Sequence, residues 1–519
     1  MTNQGTLDQL FADALDRFPP ERMAFAAEEV PVTFGELATS VDRLAAGLRA
    51  DGVNAGDIVG YSLPNCPEAI SIIPAISRVG ASAVPLFPMI PAQVRAGIFA
   101  SLGCRLVLST GPGTAALAEA GSQMHACFRV VDLTSLSGAG DGGSPPAMGP
   151  DHRLLAAASS GTTGAPKSVW MSQTNVVASL TAAADMGRVG SWRDNSDFCT
   201  MAAFPLCTSG ILVILGMLFN GTRLVFARDL SPVRYLQLAA HHRAEALSAP
   251  PAYFEAILAL PSHLTPPLEG VSAVLTGMDF FAPSLLARLS RRFPCLDRAV
   301  SGYGLVETST VFMNWKAHRR DELASPTHIF SLCPGSGNQI DVRNEQGQGV
   351  PEGEKGELWV RGSSVVSGYL GRPSGDESPF VDGWFRTGDV ARRGKGQDIE
   401  LCGRQKYLIK RGGKSVAPNE VQDRLEACPG VLASAVVGVN QPLYGQMIWA
   451  FVVADRARPA SLKDVMVECR ASLPNYMVPD HVTFIPELPR GSGAGKIDRE
   501  ALIRMAENQL KSLQGERHA

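Results

Sequence analysis

The sequence has no surplus of positive charge. Its 47 Lys and Arg residues stand against 50 Asp and Glu residues, which gives a formal net charge of −3 over 519 residues. Proteins that bind nucleic acid usually concentrate basic residues on one face, so nucleic acid is not expected as a partner. The charged fraction of 19% and the hydrophobic fraction of 45% are typical of a folded globular chain and exclude a disordered one.

Paired cysteines and long apolar runs are also missing. The ten cysteines are scattered singly between Cys66 and Cys469 with no CxxC pair, which argues against a zinc ribbon or a disulfide framework and predicts reduced, mostly buried thiols. The apolar run 211–219 is too short to cross a bilayer. The N-terminus lacks the basic start and apolar core of a signal peptide. We therefore expect a cytoplasmic protein without a membrane span.

Helix and strand signals alternate along the chain. Leu37, Val41, Leu44 and Leu48 form one helical stripe, and short apolar runs such as 58–63, 154–158, 223–226, 273–276 and 358–361 have the length of buried strands. This alternation predicts an α/β fold with a largely buried sheet.

A second pattern begins near Gly403. It predicts a strand at 408–409, a helix at 419–427, strands at 433–439 and 448–454, and a helix at 462–473, which together make a small α+β unit. We predict an N-terminal domain over residues 1–403 and a C-terminal domain over 404–519. The boundary falls at Gly403 and Arg404, because glycine lets the backbone turn at little cost.

One segment has the composition of a phosphate-binding loop. The string SSGTTGAPK at 159–167 lies between a strand signal and a helix signal. Its glycines let backbone N–H groups approach phosphate oxygens, its hydroxyls donate hydrogen bonds, and Lys167 adds a compact positive charge. Pro166 stands where a Walker A loop needs glycine, which disfavours a P-loop kinase. A polar turn is the alternative for a generic Ser/Gly/Thr cluster, but the full string favours phosphate binding.

This string resembles the phosphate loop of the adenylate-forming superfamily, which comprises acyl-CoA synthetases, adenylation domains and luciferases. Four later segments resemble further motifs of that family in the same order: SGYGLVET at 301–308, WFRTGD at 384–389, GRQKYLIK at 403–410 and GKIDR at 495–499. The five motifs cover almost the whole chain. The resemblance implies a large α/β N-terminal domain, a small mobile α+β C-terminal domain, and an AMP-forming ligase that activates a carboxylic acid as an acyl-AMP.

The resemblance also implies roles for single residues. Glu307 would hold Mg²⁺ against the phosphates, Tyr303 would offer a flat ring to adenine, and Asp389 would accept hydrogen bonds from the ribose. Arg404 would reach the ribose or a phosphate, and Lys496 would offset charge at the α-phosphorus. The expected catalytic residues are Lys496, Lys167 and Glu307, and the expected nucleotide-binding residues are Ser159, Ser160, Gly161, Thr162, Thr163, Gly164, Lys167, Gly277, Tyr303, Gly304, Asp389 and Arg404.

A two-step cycle is implied as well. The C-terminal domain would rotate between half-reactions about a hinge at Lys406. One conformation would bring Lys496 to ATP, and the other would present the loop formed by Arg411, Gly412 and Gly413 to the acceptor thiol. A static linker near Gly403 is the alternative.

The sequence departs from the family pattern at three places. Val306 stands where a threonine usually donates to the α-phosphate, so that contact depends on Thr308 or Thr163. Ser168 replaces a glycine after the loop lysine. Met278 follows Gly277 in the adenine-binding turn, where only Gly277 matches.

The substrate is less defined. We place the acyl pocket at Phe204, Cys207, Gly302 and Gly304. The family's asparagine for a hydroxybenzoate is replaced by Ala203, and the Phe-Asp pair that holds an α-amino group is missing, which favours a non-amino, largely apolar acid of the aryl, alicyclic or fatty class. The same apolar residues would equally fill a core.

We expect ATP, Mg²⁺ and CoA as cofactors and co-substrates, with CoA as the acceptor in an acid:CoA ligase. Two other possibilities stay open. The enzyme could load a carrier protein or form an amide with an amine, or the chain could be a non-catalytic relative that binds nucleotide.

Overall fold

The computed structural model describes residues 5–136, 138, 143, 145–159, 167–187, 199–206, 210–279, 281–317, 323, 329–333, 335–370, 378–441, 445–456, 458–491 and 497–515. Within these residues no helix is long and apolar enough to cross a membrane.

Local sequence signals explain where several helices begin. Thr33 and Glu36 form a capping box at the start of the second helix, and Ser461 and Asp464 form another further on. Pro at the first position begins others, where its missing N–H costs nothing. The described α-helices are α1 (Leu7–Arg17), α2 (Phe34–Ala50), α3 (Pro67–Val79), α4 (Ala92–Ser101), α5 (Pro112–Gln123), α6 (Gln173–Gly187), α7 (Gly210–Phe219), α8 (Pro232–His241), α9 (Pro251–Leu258), α10 (Pro283–Arg292), α11 (Pro418–Ala427), α12 (Leu462–Ser472) and α13 (Arg499–Gly515).

Two sheets form the N-terminal part of the described chain. The strands of the larger sheet are β1 (Met23–Ala27), β2 (Val30–Thr33), β9 (Cys199–Ala202), β10 (Arg223–Phe226), β11 (Ala246–Ser248), β12 (Ala273–Gly277), β13 (Arg298–Leu305), β14 (Thr310–Ala317), β15 (Ile329–Leu332), β16 (Asn338–Arg343), β17 (Lys355–Gly362), β18 (Phe380–Val381), β19 (Trp384–Arg393) and β20 (Ile399–Arg404). Those of the smaller sheet are β3 (Ile58–Tyr61), β4 (Ser82–Pro85), β5 (Leu106–Ser109), β6 (Arg129–Asp132), β7 (Arg153–Ser159) and β8 (Lys167–Ser172).

The order of strands in the larger sheet is β16-β17-β19-β20-β15-β14-β13-β12-β11-β9-β10-β1-β2, with β18 beside β19. Its middle is parallel from β13 to β1, whereas β13 and β14 are antiparallel. The smaller sheet has the order β6-β5-β3-β4-β7-β8. Apolar residues of α2, α3, α6 and α7 share one core with strands of both sheets, while α8, α9 and α10 cover the other face of the larger sheet.

A third sheet forms the C-terminal part. It consists of β21 (Ile409–Arg411), β22 (Lys414–Val416), β23 (Val431–Gln441), β24 (Gly445–Ala454) and β25 (His481–Phe484), in the order β22-β21-β24-β23 with β25 beside β24. α11 and α12 pack on one face, and α13 packs on the other. The strands and helices predicted for this unit are confirmed to within three residues at each end. An α/β architecture with a large and a small domain is confirmed too.

The phosphate-loop segment differs from its prediction. We expected a helix directly after it, but strand β8 follows and pairs antiparallel with β7, so Ser159 lies opposite Lys167. Val169 and Met171 enter one core while Trp170 packs in another, which is the period-two pattern of a strand buried on both faces. The helix begins only at Gln173.

The cysteines are mostly buried, as the sequence predicts. The described thiols are free, and most are buried, with only Cys127 and Cys295 exposed among them. Burial raises the pKa of Cys104 to about 12, which keeps that thiol protonated.

Candidate active site

A tyrosine, an aspartate and an arginine meet where β13 lies close to β19 and β20. The Tyr303 hydroxyl donates to Asp389 Oδ2 at 2.6 Å, and Arg404 Nε approaches Asp389 Oδ1 at 2.9 Å. Asp389 and Arg404 are paired across neighbouring strands, which fixes their separation. Thr387 accepts the Asp389 N–H at its hydroxyl and the Arg404 guanidinium at its carbonyl. Three predicted nucleotide-binding residues therefore lie together.

The electrostatics of this cluster match its hydrogen bonds. Burial, followed by the Asp389 carboxylate, raises the pKa of Tyr303 well above its ordinary value, so its hydroxyl stays a donor. Burial is the largest single effect and lowers the pKa of Arg404, but the charges of Asp389, Tyr303, Glu307 and Tyr407 together outweigh it and the net shift is upward. Asp389 is only 7% exposed, and its two oxygens already have protein partners. A bound ribose would therefore meet a carboxylate whose position is already fixed.

The tight turn after β13 carries Glu307. A Cβ on Gly304 would lie 1.7 Å from the Thr310 carbonyl oxygen, so only glycine allows this close approach. Ser309 and Thr310 have positive φ values of 52° and 104°, which are unfavourable for side chains of this type. Ser179 hydrogen-bonds the Ser309 carbonyl and the Thr310 hydroxyl and thereby holds the turn.

The threonine that follows Glu307 does not replace the missing family hydroxyl. Thr308 is fully buried, and its Oγ1 accepts from Leu305 N at 2.9 Å and lies 3.0 Å from the carbonyls of Leu305 and Thr310. Its hydroxyl serves the turn, so it does not supply the contact that Val306 lacks. Thr163, the other candidate, lies outside the described residues.

The predicted metal ligand and the loop lysine approach one further side chain. The Tyr369 hydroxyl donates to Glu307 Oε1 at 2.6 Å, and Lys167 Nζ lies 4.8 Å from the centre of the Tyr369 ring. Sequence analysis missed Tyr369, because no motif contains it and its partners are far away in the chain. The structure brings Lys167, Glu307 and Tyr369 into one cluster.

Glu307 has the chemistry of a magnesium ligand. Its side chain is an oxygen donor in a buried turn, with 8% of the residue exposed. The described residues contain no group of three or more His, Cys, Asp or Glu side chains that could hold a metal by themselves. A single carboxylate suits Mg²⁺ that takes its remaining ligands from nucleotide phosphates and water.

The adenine turn and the acyl region lie at the ends of strands in the larger sheet. Gly277 ends β12 beside Gly302 of β13, and Met278 has a positive φ of 74° with half of its surface exposed. Phe204 lies beyond β9, where buried Asn65 donates to its carbonyl and accepts from Leu206 N, both at 3.0 Å. Cys207 lies outside the described residues.

The predicted hinge lies between β20 of the larger sheet and β21 of the third sheet, and the predicted acceptor loop lies within the third sheet. Lys406 lies in a 3₁₀ turn (Gln405–Tyr407), with its ammonium 4.4 Å from the centre of the Tyr407 ring. Gly412 and Gly413 join β21 to β22 with positive φ values, as a tight hairpin requires. Arg411 donates to the Val478 carbonyl and to Asp480. The structure keeps this loop exposed at its two glycines.

Polar contacts join the C-terminal unit to the larger sheet and α10. Glu420 pairs with Lys355 at 2.5 Å and with Arg392 at 3.3 Å. Ser284 of α10 donates to Glu426 of α11 at 2.9 Å. α11 is thus one element through which the two units meet, and β23 also contacts α10.

Several predicted loop residues and the predicted catalytic lysine fall outside the part of the chain that the structure describes. Ser160, Gly161, Thr162, Thr163, Gly164 and Lys496 lie outside the described residues; Ser159 ends strand β7. Arg499, three positions after Lys496, lies over the Tyr407 ring at 5.3 Å. Burial lowers the pKa of Arg499, and the charges of Tyr407 and Asp279 oppose that shift. Arg499 therefore lies within range of the charge of Asp279, which follows the predicted adenine-binding residue Gly277 by two positions.

Comparison with known proteins decides the family. The model of the AMP-binding enzyme family matches residues 11–370, and the model of its C-terminal domain matches residues 420–496. The chain belongs to the AMP-binding enzyme family. As the motifs predicted, it is an AMP-forming ligase of the adenylate-forming superfamily.

Similar members of the family align over nearly their full length. The chain is 31% identical over 497 residues to a sulfoacetate–CoA ligase of Cupriavidus necator, covering 92% of each chain. It is 30% identical over 492 residues to a feruloyl-CoA synthase of an Amycolatopsis species, covering 93% of this chain and 95% of that one. The crystal structure of ATP-bound MatB from Rhodopseudomonas palustris shares the fold, with a TM-score of 0.81, 24% identity, and coverage of 96% and 98%.

Proposed function

We propose that this enzyme joins a non-amino, largely apolar carboxylic acid to CoA in two steps. In the first, a carboxylate oxygen attacks the α-phosphorus of ATP, an acyl-AMP forms and pyrophosphate leaves. In the second, the thiol of CoA releases its proton to solvent and attacks the acyl carbon, a thioester forms, and AMP leaves with the electron pair of the broken C–O bond. The observation that carries the proposal is the approach of Glu307 and Lys167 to one tyrosine, near the cluster of Tyr303, Asp389 and Arg404.

Different residues of the candidate site would bind different parts of ATP. Asp389 would accept hydrogen bonds from the ribose, the Tyr303 ring would lie against adenine, and Arg404 would add a fixed positive charge. Mg²⁺ bound by Glu307 would supply charge neutralisation at the phosphates. Lys167, which pairs with Ser159 at the start of strand β8, would contact phosphate oxygens. Positioning of this kind contributes to catalysis because the reacting groups start near their attack geometry.

The acyl region supports an apolar acid. Residues 199–206 contain no charged side chain, and neither does α7, whose residues 211–219 are buried except for Val213. Phe204, Val306 and Val311 pack against the same core. Residues 199–206 and α7 would offer no counter-ion to a second charge on the acid, which makes its burial against these two described segments unfavourable. The two relatives are named for sulfoacetate and for a feruloyl group, so their names do not select the class of acid.

The test is the release of AMP and pyrophosphate from ATP with a panel of aryl, alicyclic, fatty, dicarboxylic and amino acids, each with and without CoA. We expect release that depends on an apolar acid and is accelerated by CoA, with the thioester among the products. If release depends on the acid but is the same with and without CoA, the acceptor is a carrier-protein thiol or an amine instead of CoA. The same assay tests this when those acceptors are added. No release with any acid would overturn the proposal in favour of a non-catalytic relative. A preference for dicarboxylic acids would contradict the proposal of an apolar acid but would leave the proposed ligase reaction in place.

A further inference from the structure

The short segment that contains Tyr369 is fixed to two parts of the candidate site. Tyr369 forms an antiparallel bridge with Val169, and the next residue, Leu370, donates its N–H to the Ser168 carbonyl at 2.9 Å. The backbone of Tyr369 is therefore attached to strand β8 immediately after Lys167. An opening of this contact would also disturb the rung that positions the loop lysine.

The same segment holds the backbone of Glu307. The N–H of Val366 donates to the Glu307 carbonyl at 3.0 Å. Buried Asn175 donates to the carbonyls of Ser363 and Val365 at 2.8 and 3.1 Å, which anchors this segment to the start of α6. Residues 363–370 thus connect the turn that carries Glu307 with the strand that begins at Lys167.

The Tyr369 side chain completes this connection. Its hydroxyl donates to Glu307 Oε1 at 2.6 Å, and the Lys167 ammonium lies over its ring at 4.8 Å from the centre. Phe380 packs edge-on against the ring, with centroids 5.5 Å apart, and restricts its rotation. One rigid side chain therefore contacts a carboxylate through its polar end and an ammonium through its aromatic face.

This arrangement has a consequence for a metal–phosphate group. A glutamate with free rotation about its side-chain bonds would spend part of its time turned away from a metal, and an ordered hydrogen bond removes that freedom before the ligand arrives. A donor at Oε1 leaves the other oxygen of the carboxylate to face a cation. The ring holds the lysine by electrostatic attraction without using a hydrogen-bond acceptor.

We propose that Tyr369 is a positioning residue, which sets the Glu307 carboxylate and the Lys167 ammonium in register for the metal-bound phosphates of ATP. This inference rests on the proposed function, because it assumes that Glu307 meets the metal and Lys167 meets a phosphate. Tyr369 itself takes no part in bond making or breaking.

The test compares Tyr369→Phe, which keeps the ring and removes the hydroxyl, with Tyr369→Leu, which removes both. Tyr369→Phe should raise the Mg²⁺ concentration for half-maximal acid-dependent ATP–pyrophosphate exchange about tenfold, the effect of one hydrogen bond to a charged group. Exchange at saturating Mg²⁺ should recover to within about threefold of the parent enzyme, since the metal still binds at high concentration. Tyr369→Leu should in addition raise the KM for ATP, because the lysine loses its support.

A second measurement does not depend on activity. Electron paramagnetic resonance of Mn²⁺ with ATP reports metal binding directly, and Tyr369→Phe should weaken it by the same factor. Tyr235→Phe is the matched control, because that hydroxyl is also buried and donates to the Met201 carbonyl at 2.9 Å on another part of the sheet. The control should lower the melting temperature without changing the metal requirement.

The outcomes separate the two proposals. An unchanged Mg²⁺ requirement and unchanged Mn²⁺ binding in a folded Tyr369→Phe variant would overturn the positioning role, even if the parent enzyme is an active ligase. A parent enzyme without acid-dependent exchange would instead overturn the proposed function, and the Mn²⁺ measurement would still decide whether Tyr369 orders the metal site.

Discussion

The Tyr303 hydroxyl donates to Asp389 Oδ2 at 2.6 Å, which joins the expected adenine contact to the expected ribose contact. The two side chains come from strands β13 and β19, separated by 86 positions in the chain. Since Arg404 holds the other oxygen of the carboxylate, Asp389 is fixed from both sides before nucleotide binds.

Asp389→Ala should selectively remove the recognition of the ribose. We expect the parent enzyme to have a KM about tenfold higher for 2′- or 3′-deoxy-ATP than for ATP. In Asp389→Ala this ratio should fall to about twofold, because the variant has no carboxylate to bind the ribose hydroxyl, so removing that hydroxyl costs little more. Steady-state exchange with the three nucleotides measures both ratios. Asp398→Ala, at the turn between β19 and β20, is the control. An unchanged ratio in Asp389→Ala would show that the ribose binds elsewhere.

Lys496→Ala should separate the two half-reactions. Acyl-AMP formation should fall by about three orders of magnitude, because a charge near the α-phosphorus stabilises the transition state. Thioester formation from supplied acyl-AMP should persist. Rapid-quench measurement of each step checks this, with exposed Lys463→Ala as the control. Equal loss in both steps would contradict an alternation of the C-terminal domain.

Lys406→Pro tests the hinge itself. Proline restricts φ to about −65° and so limits rotation at this position. We expect ATP–pyrophosphate exchange within about threefold of the parent value and a loss of at least about a hundredfold in thioester formation. Lys406→Ala, which removes the charge without restricting φ, should leave both steps active. A proline variant with both steps intact would place the pivot at another residue.

The contact between α10 and α11 predicts a pH dependence of stability. Burial raises the pKa of Glu426 to about 7, and burial together with the Glu426 charge raises the pKa of Asp423 to about 7. Arg424 opposes the shift of Asp423, whereas Glu400 and Glu420 add to it. For both groups the folded protein binds the proton more tightly than the unfolded chain does. Their contribution is complete below the unfolded pKa of about 4.5 or less and is lost as the pH rises through 7.

Glu426→Gln should therefore gain in melting temperature relative to the parent as the pH rises from 5 to 8. The glutamine has no proton to lose. Its single side-chain oxygen can still accept from the Ser434 N–H, and its NH2 group, in the place of Oε2, can donate to the Ser284 hydroxyl. Half-buried His152 and His242 have pKa values lowered by desolvation and shift stability in the opposite direction, so the difference between variant and parent is the quantity to measure. Exposed Glu507→Gln controls for the loss of one charge. A difference that does not change with pH would contradict the raised pKa of Glu426.

The C-terminal unit could be predicted from sequence because its signals are local. Its helices and strands alternate apolar and polar residues with the expected periods, and turn residues mark their ends. Strand β8, which follows the phosphate-loop segment, could not be predicted from the sequence. It is buried on both faces, and a short apolar run of that kind does not distinguish a strand from a helix.

The candidate site was predictable only where a motif covers it. Asp389, Arg404 and Tyr303 were found through motifs, and the structure places them together. Tyr369 meets Glu307 across 62 positions, so the pattern of neighbouring residues contains no trace of the contact. The hydroxyl of Thr308 faces the backbone because positive φ values at Ser309 and Thr310 turn the chain back, a conformation that these residue types do not indicate.

The pairing of Ser159 with Lys167 bears on how this enzyme would tolerate insertions and deletions between the two residues. This rung of the β7–β8 pair sets the position of the lysine backbone at the start of strand β8. A residue inserted or deleted within positions 160–166 should therefore alter the predicted phosphate loop without displacing the backbone of Lys167 or strand β8. We expect variants that differ in the length of this segment to differ in nucleotide affinity, while the charged residue stays in place.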